Sequence, residues 1–89
     1  MTTHTSHPDI IKRLKRANGH LNSVITMLEE DRPCLDITQQ LQAVESALSN
    51  AKKLLIHDHI DHCLEHALDD STRTADDIIK EFKAITKYI

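Results

Sequence analysis

The sequence predicts an all-α fold, a three-helix protomer with one long central helix. Apolar residues recur in alternating steps of four and three along two long stretches, the pattern of amphipathic helices packed along a seam. The 89 residues include one glycine, two prolines, one phenylalanine, one tyrosine and no tryptophan. This composition lacks the turn residues and aromatics of a β-sandwich. Pro33, between the two apolar stretches, marks a break between two helices.

The first helix is expected to begin near Pro8, with Ser6 or His7 as its cap, because proline suits the first turn of a helix. Residues 1–7 are polar and are expected to form a flexible arm, followed by a single domain over residues 8–89. Gly19 interrupts this helix at a cost of about 1 kcal/mol relative to alanine, which favours close approach of a neighbouring helix there. The apolar stripe consists of Ile10, Leu14, Ala17, Leu21, Val24 and Leu28.

The second helix is expected to begin between Cys34 and Asp36, where Asp36 to Gln39 has the form of a capping box. A length of about 30 residues is far above the usual mean of about 11–12 and suits a seam between two chains. Its stripe consists of Ile37, Leu41, Val44, Leu48, Ala51 and Leu55. After a polar turn over residues 69–73, Thr74 can cap a third helix. The expected buried line there is Ala75, Ile78, Phe82, Ile85 and Ile89.

Several protein classes lack support in this sequence. No run of 18 apolar residues predicts a membrane span, and the first residues lack the apolar stretch of a signal peptide. We therefore expect a cytoplasmic protein, in which two cysteines are more often thiols or metal ligands than a disulfide. The motifs of phosphate loops, nucleophile elbows and zinc proteases are absent, so neither an enzyme nor a small-molecule substrate is predicted.

Cys34, His59 and Cys63 are the candidate metal ligands. His59 and Cys63 are four residues apart, so they share one face of the long helix. Two thiols and one imidazole suit Cu(I) or Zn(II) better than Mg(II) or Ca(II). Cys34 and His59 are separated by about 37 Å along a continuous helix at 1.5 Å per residue. If all three bind one ion, Cys34 must come from a second, antiparallel copy of the chain.

Other histidines widen the choice of metal. His62 and His66 follow His59 and Cys63 on one helix face, and they could extend the site for Ni(II), Co(II) or Zn(II). Solvent exposure is the simpler interpretation of these two side chains. His4 and His7 on the N-terminal arm could close over a metal ion.

Basic residues are concentrated on the first helix, although the net charge is −3. In one protomer they could simply form a solvated face, whereas in a symmetric oligomer they would form a track for DNA phosphates. No helix-turn-helix, zinc-finger or basic-zipper signature is present, so contacts to the DNA backbone should dominate. The candidate phosphate contacts are Lys12, Arg13, Lys15, Arg16 and Lys53.

The chain resembles the copper-sensing operon repressors, the CsoR/RcnR group of bacterial metal-sensing repressors. The resemblance covers about residues 8–89. It depends on Arg13 to Leu21 of the first helix, on Cys34, on Leu41 to Val44, and on His57 to Cys63. The Cys, His and Cys set favours the Cu(I) branch over the nickel or cobalt, formaldehyde and persulfide branches.

The resemblance implies an antiparallel homodimer that assembles into a disc-like tetramer. Cys34 of one protomer would bind Cu(I) together with His59 and Cys63 of its partner, in a trigonal site, and Asp77 is expected to orient the histidine. The metal-free protein would bind operator DNA and be released by copper. Asn50 stands where members often have arginine. A nickel, zinc or thiol-reactive inducer, and a helical metal-buffering module that does not bind DNA, remain as alternatives.

Overall fold

The computed structural model describes residues 6–69 and 74–89, with the side chains of residues 63–69 excepted. It consists of three α-helices, α1 (His7–Glu29), α2 (Cys34–Asp69) and α3 (Ala75–Thr86). The all-α, three-helix prediction is confirmed, and α2 is longer than expected, at 36 residues. Helix α1 starts one residue before Pro8. Residues 1–5 of the predicted arm, including His4, lie outside the described residues.

The connection between α1 and α2 is a helix-ending motif built on Asp31. The N–H of Arg32 donates to the carbonyl of Met27, and the N–H of Asp31 donates to that of Leu28. Asp31 has a φ of 54°, a left-handed conformation that aspartate tolerates better than most residues. Helix α2 then begins directly after Pro33, so Asp36 lies in its first turn. The predicted capping box starting at Asp36 is therefore wrong, because the helix has already begun there.

The apolar stripes of α1 and α2 are divided between two surfaces. Every second position packs in the interface between the two helices, where the residues are Ile10, Ala17, Val24, Ile37, Val44 and Ala51. The alternate positions are all exposed in the single chain, namely Leu14, Leu21, Leu28, Leu41, Leu48 and Leu55. The predicted stripes are thus half buried within the chain, since one α-helical hairpin encloses only one line of residues from each helix.

The shape of the chain explains this exposure. Its extents are 59 × 23 × 13 Å, so in its thinnest direction it is about one helix thick. The radius of gyration is 18.1 Å, whereas a compact domain of this length would have about 12 Å. No described helix is both long and apolar enough to cross a membrane.

Helix α3 packs on α2 with little burial of its own. Thr74 caps it as predicted, because its hydroxyl accepts a hydrogen bond from the N–H of Asp77 at 3.2 Å. The expected buried line is only partly realised: Ile78 and Ile85 are half-buried, but Phe82 is exposed. A Cβ added at Gly19 on α1 would meet no atom within 4 Å. The close helix approach predicted at Gly19 is therefore not formed within one chain.

Candidate metal centre and nucleic-acid interface

Cys34 and His59 lie far apart on the same helix. Cys34 is the first residue of α2, with an exposed thiol, and its carbonyl accepts a hydrogen bond from Thr38 Oγ1 at 2.7 Å. Helix α2 continues without interruption to Asp69, so Cys34 and His59 are about 37 Å apart. No three metal-ligating side chains come together among the described residues of one chain. Cys63 and His66 lie on α2, but their side chains are outside the described part.

Glu81 is the carboxylate that contacts the candidate ligand His59. The Nε2 atom of His59 lies 3.2 Å from Oε1 of Glu81, and both side chains are partly exposed. A carboxylate accepts a hydrogen bond and does not donate one, so this contact favours a proton on Nε2. The Nδ1 lone pair is then the one suited to a metal ion. This part of α2 therefore offers one imidazole nitrogen suited to a metal ion.

Asp77 is the residue that the resemblance suggested for this role. It is in the first turn of α3, where its backbone N–H completes the cap with Thr74. Glu81 is one helical turn further along, on the side of α3 that packs on α2. No motif in the sequence marks Glu81, because its partner is set by how α3 docks rather than by local spacing.

Two further histidines surround Asp58, which is nearly buried. His62 Nε2 lies 3.6 Å from Oδ1 of Asp58, and His7 Nε2 lies 3.7 Å from Oδ2. The Asp58 side chain is only 9% exposed. His7 and His62 thus face a carboxylate between α1 and α2. Asp58 was not singled out from the sequence, although it continues the buried line of Val44 and Ala51.

The predicted basic residues all lie on exposed surface. Arg13 and Arg16 of α1 line a cleft of about 170 Å³ together with His20 and with Asn50 of α2. Asn50 also lines a neighbouring cleft of about 270 Å³ that contains Lys53. Asn50 therefore lies between the basic residues of α1 and Lys53. Lys12 and Lys15 are exposed on α1 as well.

Two contacts order this basic surface. Arg13 Nε donates to Oδ2 of Asp9 at 3.0 Å, one helical turn away. The guanidinium has five N–H donors, so this contact leaves others available for a phosphate. His20 Nε2 and Gln40 Oε1 lie 2.7 Å apart and tie α1 to α2. The surface can therefore present several cations and hydrogen-bond donors to one DNA backbone.

Comparison with known proteins agrees with a candidate metal site and a DNA-binding surface. The chain matches a family model described as metal-sensitive transcriptional repressor over residues 6–87. The copper-sensing transcriptional repressor CsoR of Bacillus subtilis is 36% identical over 80 residues, covering 88% of this chain and 79% of that protein. The copper-sensing transcriptional repressor CsoR of Mycobacterium ulcerans is 40% identical over 75 residues, covering 82% of this chain and 64% of that protein.

Two further findings concern the length of the relatives and the metal to which they respond. The chain spans only 49% to 64% of the length of several mycobacterial relatives. Among solved structures, the nickel-responsive transcriptional regulator InrS superposes with a TM-score of 0.84 at 28% identity, covering 100% of this chain and 99% of that one. The chain is thus similar in sequence to proteins described as copper-sensing and similar in structure to one described as nickel-responsive.

Proposed function

Because the chain belongs to the family of metal-sensitive transcriptional repressors, we propose that it binds operator DNA without metal and is released by Cu(I). The protein acts in the cytoplasm through binding and not through catalysis. Its relatives in Bacillus subtilis and Mycobacterium ulcerans are both described as copper-sensing, which supports the choice of inducer.

The observation that carries the proposal is the position of the ligands on α2. Cys34 and His59 are fixed about 37 Å apart by one continuous helix, so one chain holds two incomplete sites. A second, antiparallel copy brings its Cys34 to His59 and Cys63 of the first. This donor set of two thiolates and one imidazole suits a soft ion such as Cu(I). Cu(I) held by these residues would link the two subunits at each site.

The exposed leucines support the homodimer. They form an apolar line along both α1 and α2, which a second helical hairpin can cover. Further apolar residues remain exposed outside this line, and they support the association of two dimers into a tetramer. These residues are Ile11, Ile25, Ile79 and Phe82.

The clefts that contain Arg13, Arg16 and Lys53 support DNA as the partner. Cations that follow a helix surface neutralise backbone phosphates and release counterions. In a symmetric oligomer each cleft is repeated, so the protein presents several basic patches to one duplex. Asn50 contributes an uncharged amide where the clefts meet, which keeps a hydrogen-bond donor at that point without adding charge.

A gel-shift titration under anaerobic conditions tests the function directly. Labelled genomic fragments are incubated with the protein, with and without one equivalent of Cu(I) per chain. We expect a shifted complex without metal and its loss with Cu(I). A complex that persists with bound copper contradicts the proposed inducer. No complex with any fragment would instead support a metal-buffering module.

Nickel is the second candidate inducer, favoured by the close superposition with the nickel-responsive regulator InrS. The same titration with Ni(II) and Zn(II) separates the two. Release by Ni(II) at concentrations at which Cu(I) has no effect would replace copper by nickel in the proposal. A thiol-reactive inducer is tested in the same format, with a polysulfide in place of the metal ion.

A further inference from the structure

His20 is a half-buried histidine of α1 that lines the same cleft as Arg13 and Arg16. The three residues occupy positions i, i+3 and i+7 of one helix, so they share one face. From α2 the cleft is lined by Ala47 and Asn50, and its volume is about 170 Å³. An anion in the cleft would therefore meet the guanidinium groups of both arginines, an imidazole and an amide.

Gln40 of α2 contacts the imidazole of His20 from one side. Nε2 of His20 lies 2.7 Å from Oε1 of Gln40, a hydrogen-bond distance. A carbonyl oxygen only accepts, so Nε2 carries the proton of the neutral ring. The other nitrogen, Nδ1, is then an acceptor in the neutral ring and a donor only in the charged ring. A phosphate oxygen, which only accepts, can therefore bind at Nδ1 only when His20 is protonated.

The charges around His20 couple a bound phosphate to a bound proton. Among the described residues that line the cleft, the charged side chains are Arg13 and Arg16 of α1, and those from α2 are uncharged. Asp9 contacts Arg13 at 3.0 Å, but it is about 16 Å from His20 along the helix axis. A phosphate would supply the negative charge that these lining residues lack, and it would stabilise a charged imidazole.

We propose that His20 binds a phosphate group of DNA in its protonated form, and that Gln40 is its positioning residue. The inference deepens the proposed function and rests on it for the ligand, the backbone of duplex DNA. Histidine is the side chain that changes charge between about pH 5 and 8. Because the complex holds a proton that the free protein releases at higher pH, DNA affinity rises as the pH falls through this range.

Fluorescence anisotropy of a labelled duplex with the metal-free protein, at constant salt concentration, measures this dependence. The affinity of the unchanged chain is expected to rise about three- to tenfold from about pH 8 to about pH 6. His20→Gln cannot take up a proton and should lose most of this rise. His20→Arg carries a permanent charge and should bind tightly at both values, which shows that a cation at this position is sufficient.

His7→Gln is the matched control, because it removes a histidine of the same helix that lies against Asp58 instead of lining the cleft. It should keep the pH dependence of the unchanged chain. An equal loss of the dependence in His7→Gln and His20→Gln, or no loss in His20→Gln, overturns the inference.

Gln40→Glu tests the positioning contact. A carboxylate beside Nε2 stabilises the charged imidazole before DNA binds, so the rise in affinity should move to higher pH. A pH profile that Gln40→Glu does not move would overturn the role of Gln40. Inorganic phosphate, added at constant ionic strength, distinguishes DNA from a free anion. If about 1 mM phosphate removes the difference between the unchanged chain and His20→Gln, the cleft takes the free anion and the assignment to DNA is overturned.

Release by Cu(I) separates this inference from the proposed function. If the pH dependence requires His20 but Cu(I) does not release the complex, the proposed inducer fails and the inference stands. If Cu(I) releases the complex but His20→Gln keeps the full pH dependence, this inference alone fails. Failure of the unchanged chain to bind any duplex overturns both.

Discussion

The Nε2 atom of His59 on α2 lies 3.2 Å from Oε1 of Glu81 on α3. This contact joins the helix that carries the candidate ligands to the C-terminal helix of the same chain. If the opposite nitrogen of the imidazole held a metal ion, this carboxylate would orient the ring. The contact therefore connects α3 to the orientation of the candidate ligand His59.

Replacing Glu81 by alanine should weaken copper sensing without affecting DNA binding by the metal-free protein. Loss of a carboxylate that orients a ligating histidine typically costs 10- to 100-fold in metal affinity. We expect a decrease of about this size in a chelator competition with Cu(I). Asp77→Ala is the matched control, since Asp77 lies in the first turn of the same helix. An equal loss in both variants would show that only the docking of α3 had been disturbed.

Mixed dimers should reveal that each site is shared between chains. Cys34→Ala and Cys63→Ala are each expected to keep operator binding and lose release by copper. A dimer that contains one chain of each variant retains one complete site, from Cys34 of one chain and Cys63 of the other. Differently tagged chains, refolded together and purified by both tags, should bind one Cu(I) per dimer. Mixed dimers that bind no copper would place both cysteines of a site on one chain.

DNA binding should depend steeply on salt, with a slope that reports the basic residues. Each lysine or arginine on a phosphate contributes about 0.9 to the slope of log K against log salt concentration. We expect Arg13→Ala, Arg16→Ala and Lys53→Ala each to reduce this slope by about 0.9 for every copy of the residue that contacts the duplex, or about two when two copies do so. Lys83→Ala on α3 should leave it unchanged. Fluorescence anisotropy at several salt concentrations measures the slope. Equal slopes for all variants would mean that the residues of the clefts do not contact DNA phosphates.

Gly19→Ala should stabilise the protein. An added Cβ meets no atom within 4 Å, and the backbone at Gly19 is helical with no positive φ. Alanine is favoured over glycine in a helix interior by about 1 kcal/mol, so the free energy of unfolding should rise by up to that amount. Urea denaturation at fixed protein concentration measures the change. A lower stability would mean that a neighbouring subunit approaches Gly19 closely.

The sequence predicts the helices well because its apolar period and its breaks are local signals. Pro33 and Thr74 mark boundaries that the structure reproduces. The same period does not reveal which apolar residues are covered within one chain. Val24 is 2% exposed and Leu28 is 58% exposed, although both belong to one stripe. Periodicity shows that a helix face is apolar, but the element that covers it is decided by tertiary and quaternary packing.

The site was predictable only where its residues share one helix. The spacing of His59 and Cys63, and their distance from Cys34, follow from helix geometry alone. Glu81 and Asp58 belong to contacts between helices, and their partners depend on how α3 and α1 dock on α2. Arg13 and Arg16 of α1 line one cleft together with Asn50 of α2. Spacing along the chain could not predict this cleft, because it lies between two helices.

The wide separation of Cys34 and His59 along α2 would couple metal affinity to protein concentration if the site is shared between two chains. In the proposed arrangement an isolated chain cannot complete a site, so diluting the protein below its dimer dissociation constant should weaken copper binding. By thermodynamic linkage, copper must tighten dimerisation by the same free energy by which dimerisation tightens copper binding. The sensor would then become more firmly assembled as the ion it detects becomes abundant.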